Sequence, residues 1–225
     1  MPIQKTVIIN RAVPGSGKTT ISNCILDSLK DHHLEIAIHS TDEYFMTIDG
    51  KYDFSIDKLY VNHQQNLYEF TNSLRTDTKI VICDNTNIAP WQTKPYTDLA
   101  RKYDYKIIFI TFDPREIEKH VEAQKVTEEK PDAHGVSEEI LKEMIVEYHL
   151  YNDLLDNTAK INTVTQLDYQ WNIDELKKEP NGKASTYFEL DNYIRILPNE
   201  YQDIQKTIGD TLLKLMFINK ENPNE

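Results

Sequence analysis

Residues 12–19 decide the fold, and they spell A-V-P-G-S-G-K-T. The stretch follows the phosphate-loop pattern G-x-x-x-x-G-K-[ST], with Ala12 in place of the first glycine. In such a loop the backbone N–H groups converge on phosphate oxygens, and the following helix points its N-terminus at the anion. The pattern predicts that Lys18 reaches the β- and γ-phosphates of a nucleoside triphosphate, and that the Thr19 hydroxyl ligates Mg²⁺.

The flanking sequence is the context that this motif requires. The β-branched run at 5–10 predicts a buried strand before the loop, and an apolar stripe from Ile21 to Leu29 predicts an amphipathic helix after it. The alternative, a chance glycine-rich turn before a helix, leaves this context unexplained. We therefore assign nucleoside triphosphate binding to seven consecutive residues: Pro14, Gly15, Ser16, Gly17, Lys18, Thr19 and Thr20.

Working outward, strands alternate with helices along most of the chain. The apolar runs predict strands at 5–10, 35–39, 80–83 and 106–112, with a fifth at 161–164, and helices at 55–75, 91–103 and after Ser137. This alternation predicts an α/β P-loop kinase fold, with a parallel sheet of about five strands flanked by helices and a mostly helical C-terminal extension.

The rhythm changes after residue 164, which suggests a domain boundary. We expect a nucleotide-binding kinase domain over 1–164 and an extension over 165–225, in which 187–197 is extended and 200–217 is helical. The role of the extension does not follow from its sequence. A protein partner bound through it is one interpretation.

Composition narrows the function classes. The 225 residues carry 25 Lys and Arg against 37 Asp and Glu, a formal net charge of −12, so a broad basic surface for nucleic acid is excluded although a local groove is not. The two cysteines are expected to be reduced and packed in the core. No apolar run has the length of a membrane helix, and no signal peptide is evident, so we expect a cytoplasmic protein with no membrane partner.

The absence of an N-K-x-D base-reading motif argues against a GTPase, and the chain is short for a motor or an assembly ATPase. A small domain with a charged, lid-like stretch after the fourth predicted strand is typical of a kinase.

Two acidic residues follow predicted strands and therefore lie at the ligand edge of the sheet. Asp42 is a candidate general base that accepts the proton of an acceptor hydroxyl, with a helix cap as the alternative. Asp84 ends an apolar strand, as a residue that holds Mg²⁺ directly or through water does. The polar run at 85–87 either orients a substrate or caps the next helix.

Four motifs together resemble a known family: R-A-V-P-G-S-G-K-T-T at 11–20, H-S-T-D-E-Y-F at 39–45, I-C-D-N-T-N at 82–87 and H-G-V-S at 134–137. The set resembles the AAA-type P-loop kinases related to bacteriophage polynucleotide 5′-kinase, especially their cellular ubiquitin-ligase-binding branch. The resemblance covers about residues 5–152. It implies that Lys18 and Thr19 bind ATP·Mg²⁺, that Asp42 is the base, that Asp84 serves the metal or the acceptor, and that 116–135 forms the lid.

The sequence departs from that family where arginines are expected. Phe45 stands where the phage-type enzyme has a substrate-clamping arginine, and the lid stretch contains no arginine. An arginine at the transferring phosphoryl group contributes about 10³-fold or more in rate, and lysine is not equivalent. The remaining candidates for this catalytic role are Arg115 and Lys125, with Arg11 either structural or facing phosphate. His134 is interpreted either as a nucleotide contact or as part of a structural turn.

Three functions fit these observations. The leading one is transfer of the γ-phosphoryl group of ATP to a hydroxyl, most readily the 5′-hydroxyl of RNA or DNA. The second is a kinase of a small molecule such as a nucleoside or a nucleotide sugar. The third is an ATP-binding module with little catalysis.

Overall fold

The computed structural model describes residues 3–156 and 188–217. The elements are β1 (Thr6–Ala12), α1 (Lys18–Leu29), β2 (Ile36–His39), α2 (Ile56–Arg75), β3 (Ile80–Cys83), α3 (Pro90–Lys102), β4 (Lys106–Phe112), α4 (Ile117–Gln124), α5 (Glu138–Asp156), β5 (Asn192–Ile196) and α6 (Tyr201–Met216). A 3₁₀ helix, Lys30–His32, extends α1, and another, Thr41–Phe45, follows β2.

The five strands form one parallel sheet in the order β2-β3-β1-β4-β5. All seven residues of β1 are buried, as expected for a central strand that is covered on both faces. Successive β1 residues enter different cores: Val7 and Ile9 join one apolar cluster, and Ile8 joins the other. The predicted α/β class and the count of five strands are confirmed.

The C-terminal residues take part in the same sheet. The strand β5 pairs with β4, and α6 packs against α1 with Ile208 and Leu212 fully buried. Gly209 permits the close approach, because a Cβ there would lie only 2.7 Å from the Ser28 Cβ. The extended stretch and the helix predicted near the C-terminus are both present.

The strand predicted at 161–164 lies outside the described residues, as does the proposed boundary at 164. The fifth strand of the described sheet is β5. The division of the chain at residue 164 therefore stays a prediction, although the described part of the C-terminal region contributes to the common sheet.

A local signal explains where α5 begins. The α5 helix follows Ser137, whose Oγ accepts a hydrogen bond from the Ile140 N–H at 3.4 Å, so the predicted N-cap is present.

Cys83 is buried and Cys24 half-buried, and both are free thiols. Within residues 3–156 and 188–217, the helices are too short or too polar to cross a bilayer.

Candidate functional site

The loop between β1 and α1 has the backbone that phosphate binding requires. Gly15 and Gly17 have positive φ values of 81° and 89°. A Cβ on Gly15 would lie 3.0 Å from the Ala123 Cβ, so glycine is also needed for space there. Ala12 ends β1 and is not among the residues with positive φ, which explains why alanine is tolerated in place of the first glycine.

Two polar side chains of this loop are buried without a protein partner. Lys18 is 9% exposed and makes no hydrogen bond or ion pair with any described residue, and the Ser16 Oγ is likewise unpartnered. The Lys18 charge has no counter-charge among the described residues, so an anion bound at the loop would pair with it. Thr19 and Thr20 are exposed in the first turn of α1. The loop is therefore built for an anionic ligand.

One wall of the phosphate loop comes from α4 and from Arg115, which precedes it. His120 is fully buried, its Nδ1 lies 2.7 Å from the Pro14 carbonyl oxygen, and its Nε2 accepts the Arg115 backbone N–H at 3.0 Å. These bonds fix a neutral imidazole with the proton on Nδ1. Burial lowers the pKa of His120, and the positive charges of Arg115 and Lys18 act in the same direction.

Arg115 completes this wall, since its Nη2 donates to the Gly15 carbonyl. Its Nε is buried and unpartnered, and so is the Oε1 of the buried Gln124 nearby, whose Nε2 would lie 3.4 Å from a Cβ on Gly15. Arg115, a predicted catalytic residue, is thus in contact with the phosphate loop. Lys125 lies just beyond α4, is exposed, and forms an ion pair with Glu122 at 2.5 Å.

The opposite wall comes from α6. The Tyr201 hydroxyl donates to the Gly17 carbonyl at 2.9 Å. Neither Tyr201 nor His120 was predicted as a site residue. No local pattern marks them, because each acts through a partner about 100 or more residues away in the chain. The buried face of α4 was the only available signal for His120.

Asp84 lies beside the loop and is 2% exposed, immediately after β3. Its Oδ1 accepts the Asn10 Nδ2 at 2.7 Å, and the same amide nitrogen lies 2.8 Å from the Ser22 Oγ. The Asp84 Oδ2 has no hydrogen-bond partner among the described residues. One free carboxylate oxygen fits Mg²⁺, which usually keeps several waters and binds one or two carboxylates plus substrate phosphates.

Among the described residues, no group of three His, Cys, Asp or Glu side chains forms a ready-made metal cage.

The polar run after Asp84 is structural. The Asn85 Oδ1 accepts the Thr41 N–H at 2.9 Å, and its Nδ2 donates to the Tyr96 hydroxyl at 3.1 Å. Asn87, with φ of 48°, donates from Nδ2 to the Asn10 carbonyl at 2.8 Å. These bonds tie β2 and β1 to the segment after β3. They favour neither of the earlier interpretations, since the side chains act as cross-links within the protein.

Asp42 lies in the 3₁₀ helix after β2, with its side chain 39% exposed. Its Oδ1 accepts the Tyr52 hydroxyl at 3.1 Å, and its Oδ2 lies 3.7 Å from the His134 Nδ1. The Tyr52 and His134 rings stack with centroids 4.1 Å apart. His134 is therefore beside the candidate base. We call Asp42, Tyr52 and His134 the acceptor cluster.

The neighbouring positions have other roles. Phe45 is buried and contacts the rings of Tyr52 and Phe54, with centroids 5.8 and 5.1 Å apart, so it packs rather than clamps a substrate. Glu43 is exposed as a whole residue. Partial desolvation of its carboxylate, followed by the charges of Asp84 and Asp42, raises its pKa.

Arg11 is structural. It is fully buried, donates to the carbonyls of Ile88 at 3.0 Å and Tyr148 at 2.8 Å, and lies 4.0 Å from the centroid of the Tyr148 ring. Burial lowers its pKa to about 10. Of the two earlier interpretations of Arg11, the phosphate-facing one is wrong, because the guanidinium is committed to the α5 side of the sheet.

Known proteins resemble this chain over the same region. Human NEDD4-binding protein 2 is 29% identical over 151 residues, which are 64% of this chain and 8% of that protein. The 2′,3′-cyclic-nucleotide 3′-phosphodiesterase of Pongo abelii is 28% identical over 106 residues, 47% of this chain and 24% of that protein. The chain thus corresponds to a minor part of the length of both relatives.

The fold is shared with a small-molecule kinase. Shikimate kinase from Acinetobacter baumannii, solved with shikimate, superposes with a TM-score of 0.51 at 10% identity, covering 96% of each chain. The family model described as AAA domain matches residues 7–150, which is more than half of the chain and includes the phosphate loop and the acceptor cluster. This protein therefore belongs to the AAA domain family and has a P-loop kinase-like fold.

Proposed function

We propose that this protein transfers the γ-phosphoryl group of ATP to a hydroxyl acceptor, most readily the 5′-hydroxyl of RNA or DNA. The observation that carries the proposal is the meeting of two features at one sheet edge. Lys18 is a largely buried residue with no hydrogen bond or ion pair to a described residue, and Asp42 is a half-exposed carboxylate. Lys18 follows β1 and Asp42 follows β2, so both lie at the edge where the carboxyl ends of the parallel strands meet, and the charges of both act on His134.

The roles of the residues follow from their positions. Lys18 and the backbone N–H groups of 15–20 hold the β- and γ-phosphates, and Arg115 supports the loop and offers its free Nε. Thr19 and the free oxygen of Asp84 hold Mg²⁺, which neutralises charge on the phosphates when bound. Asp42 takes the proton of the attacking hydroxyl. Lys125 is assigned to the transferring phosphoryl group only if its bond to Glu122 opens.

Exposed rings favour a nucleic-acid acceptor. Phe54 packs on Phe45 beside the acceptor cluster and is 50% exposed, and Tyr60 and Tyr68 on α2 are also exposed. Unpaired bases stack on such rings, and each stacked base contributes about 1–3 kcal/mol. One matched relative is named for a reaction of a nucleotide, which agrees with this acceptor class. These features support our proposal that the chain belongs to the branch related to polynucleotide 5′-kinase.

A small-molecule acceptor is the second candidate, and charge favours it. The net charge of −12 works against a polyanionic acceptor, and Lys125 is already paired. A nucleoside or nucleotide sugar needs no extended basic track.

The test is transfer of label from γ-labelled ATP with Mg²⁺ to 5′-hydroxyl RNA and DNA oligonucleotides, to the same oligonucleotides carrying a 5′-phosphate, and to a metabolite extract. We expect label on the 5′-hydroxyl oligonucleotides alone. Lys18→Met and Asp42→Asn should lower transfer by about 10²-fold or more. The matched control is Lys30→Met, because Lys30 is an exposed lysine at the end of α1.

Label on a metabolite with none on any oligonucleotide would support the second candidate. ATP binding without transfer to either acceptor would overturn the kinase proposal and turn attention to partner binding by the C-terminal region.

A further inference from the structure

The two oxygens of the Asp42 carboxylate face different protein groups. The Tyr52 hydroxyl donates to Oδ1 at 3.1 Å, and the His134 Nδ1 lies 3.7 Å from Oδ2. The two partners also contact each other, since their rings are stacked at 4.1 Å with planes 20° apart. The acceptor cluster is thus one packed unit, and a shift of His134 changes the surroundings of both oxygens.

The three side chains come from three separate segments. Asp42 belongs to the 3₁₀ helix after β2, Tyr52 to the loop before α2, and His134 to the segment 125–137, which we call the lid loop. The Tyr52 N–H donates to the Pro131 carbonyl at 3.3 Å, so the loop before α2 is also attached to the lid loop through the backbone. Gly135 has a φ of 63°, and this turn follows His134 directly.

This arrangement addresses a requirement of the chemistry. In the proposed transfer the acceptor O–H proton passes to Asp42 as the oxygen forms a bond to the γ-phosphorus. The bond from that phosphorus to the β–γ bridging oxygen breaks, and its electron pair stays on ADP. Proton transfer of this kind needs the carboxylate held within hydrogen-bond reach of the hydroxyl, and a half-exposed carboxylate with no fixed partner rotates freely.

We infer that Tyr52 and His134 are positioning residues that hold the Asp42 carboxylate toward the acceptor hydroxyl, and that the lid loop completes this half of the site by bringing His134 to it. The inference rests on the proposed function. It also assigns His134 a role distinct from both earlier interpretations.

Charge around His134 makes the arrangement dependent on pH. Burial lowers the pKa of His134 and the Lys18 charge acts in the same direction, whereas Asp42 and Asp132 act to raise it. The Tyr52 ring covers one face. A neutral imidazole leaves the Asp42 charge available for the acceptor proton. A protonated imidazole forms a full ion pair with Asp42 and weakens it as a base.

The kinetic test compares kcat, the two KM values and their pH profiles for wild type, His134→Asn and Tyr52→Phe. We expect about a tenfold lower kcat for His134→Asn, a smaller decrease for Tyr52→Phe, and an unchanged KM for ATP. Wild-type kcat should fall on the acid side, and the part of this fall that is due to protonation of His134 should be absent in His134→Asn. The exposed His149, changed to Asn, is the matched control and should behave as wild type.

A second readout does not depend on turnover. The His134 ring is titrated by NMR in wild type and in Asp42→Asn, and we expect the variant to have the lower His134 pKa because a negative charge is removed. An unchanged His134 pKa, or a wild-type kcat and pH profile in His134→Asn, overturns the inference while leaving the kinase proposal intact. Absence of transfer in wild type overturns the proposed function itself, and with it the role assigned to His134.

Discussion

The two halves of the site are built differently. The nucleotide half, meaning the phosphate loop with its walls from α4 and α6, is held by bonds from His120, Arg115 and Tyr201 to its own carbonyl oxygens. The acceptor half, meaning the acceptor cluster with the loop 46–54, is partly exposed, and Ile48 and Phe54 project from it. One half is fixed by several distant elements, whereas the other is held by a few contacts between loops.

This difference matches what each half must do. Binding phosphate requires N–H groups that already converge before the ligand arrives, because reorganising them during the reaction would raise the barrier. The acceptor of the proposed transfer must enter and leave, and a half-exposed cluster between loops permits that. The comparison predicts that equivalent substitutions are more damaging in the nucleotide half.

Replacing one glycine in each half by alanine tests this comparison most directly. Gly17→Ala should destabilise the protein by about 3 kcal/mol and abolish most ATP binding, because φ is 89° and the new Cβ would overlap the Tyr201 phenol. Gly50→Ala, in the acceptor half, has a similar φ of 77° but nothing within 4 Å of the Cβ, so about 1 kcal/mol is expected.

Urea unfolding and calorimetric titration with ATP measure the two effects. Equal losses for both glycine variants would mean that backbone strain alone matters and that the contact with Tyr201 does not.

The second largest loss of stability is expected on replacing the buried Arg11. Arg11→Met should lower the free energy of unfolding by about 2–3 kcal/mol, because the carbonyls of Ile88 and Tyr148 lose a charged donor and the ring contact is lost. Arg75→Met, at an exposed helix end, should change it by less than about 0.5 kcal/mol. A phosphate-facing Arg11 would instead lower ATP affinity with little loss of stability.

Removing one oxygen atom from the α6 wall should have a smaller effect. Tyr201→Phe loses a single hydrogen bond to the Gly17 carbonyl, so we expect about 1 kcal/mol less stability and several-fold weaker ATP binding. Tyr68→Phe is the control, since Tyr68 is exposed and has no hydrogen-bond partner among the described residues. Unchanged ATP affinity in Tyr201→Phe would show that α6 does not support the loop.

Acid should weaken the nucleotide half gradually. Folding lowers the pKa of His120, so below about pH 6.5 the unfolded chain binds more protons than the folded protein. The free energy of unfolding therefore decreases as the pH is lowered. The slope is at most about 1.4 kcal/mol per pH unit for one group, and His39, His63 and His134 shift in the same direction. We expect urea titrations between pH 8 and pH 5 to show that His120→Asn is less stable than wild type at pH 8. Its free energy of unfolding should also change less steeply with pH. An unaltered pH dependence would contradict the assignment of a neutral His120.

Much of the fold was predictable because it depends on short-range patterns. The strands at 80–83 and 106–112 and the helix ending at Arg75 appear where the apolar periodicity places them. The phosphate loop was equally clear, since its glycine spacing is a local requirement of the backbone. The charged stretch after the fourth strand contains α4, which ends at Gln124, and the segment 125–137 forms the lid loop.

The sequence by itself determined that this chain has a phosphate loop with Lys18 and a parallel sheet, because backbone geometry and side-chain periodicity are written in neighbouring residues. Only the tertiary structure decided that Arg11 is structural, that Tyr201 and His120 hold the loop, and that His134 lies beside Asp42. Those contacts join residues from 77 to 184 positions apart. They arise from the packing of whole elements, and no local pattern encodes which side chains such packing brings together.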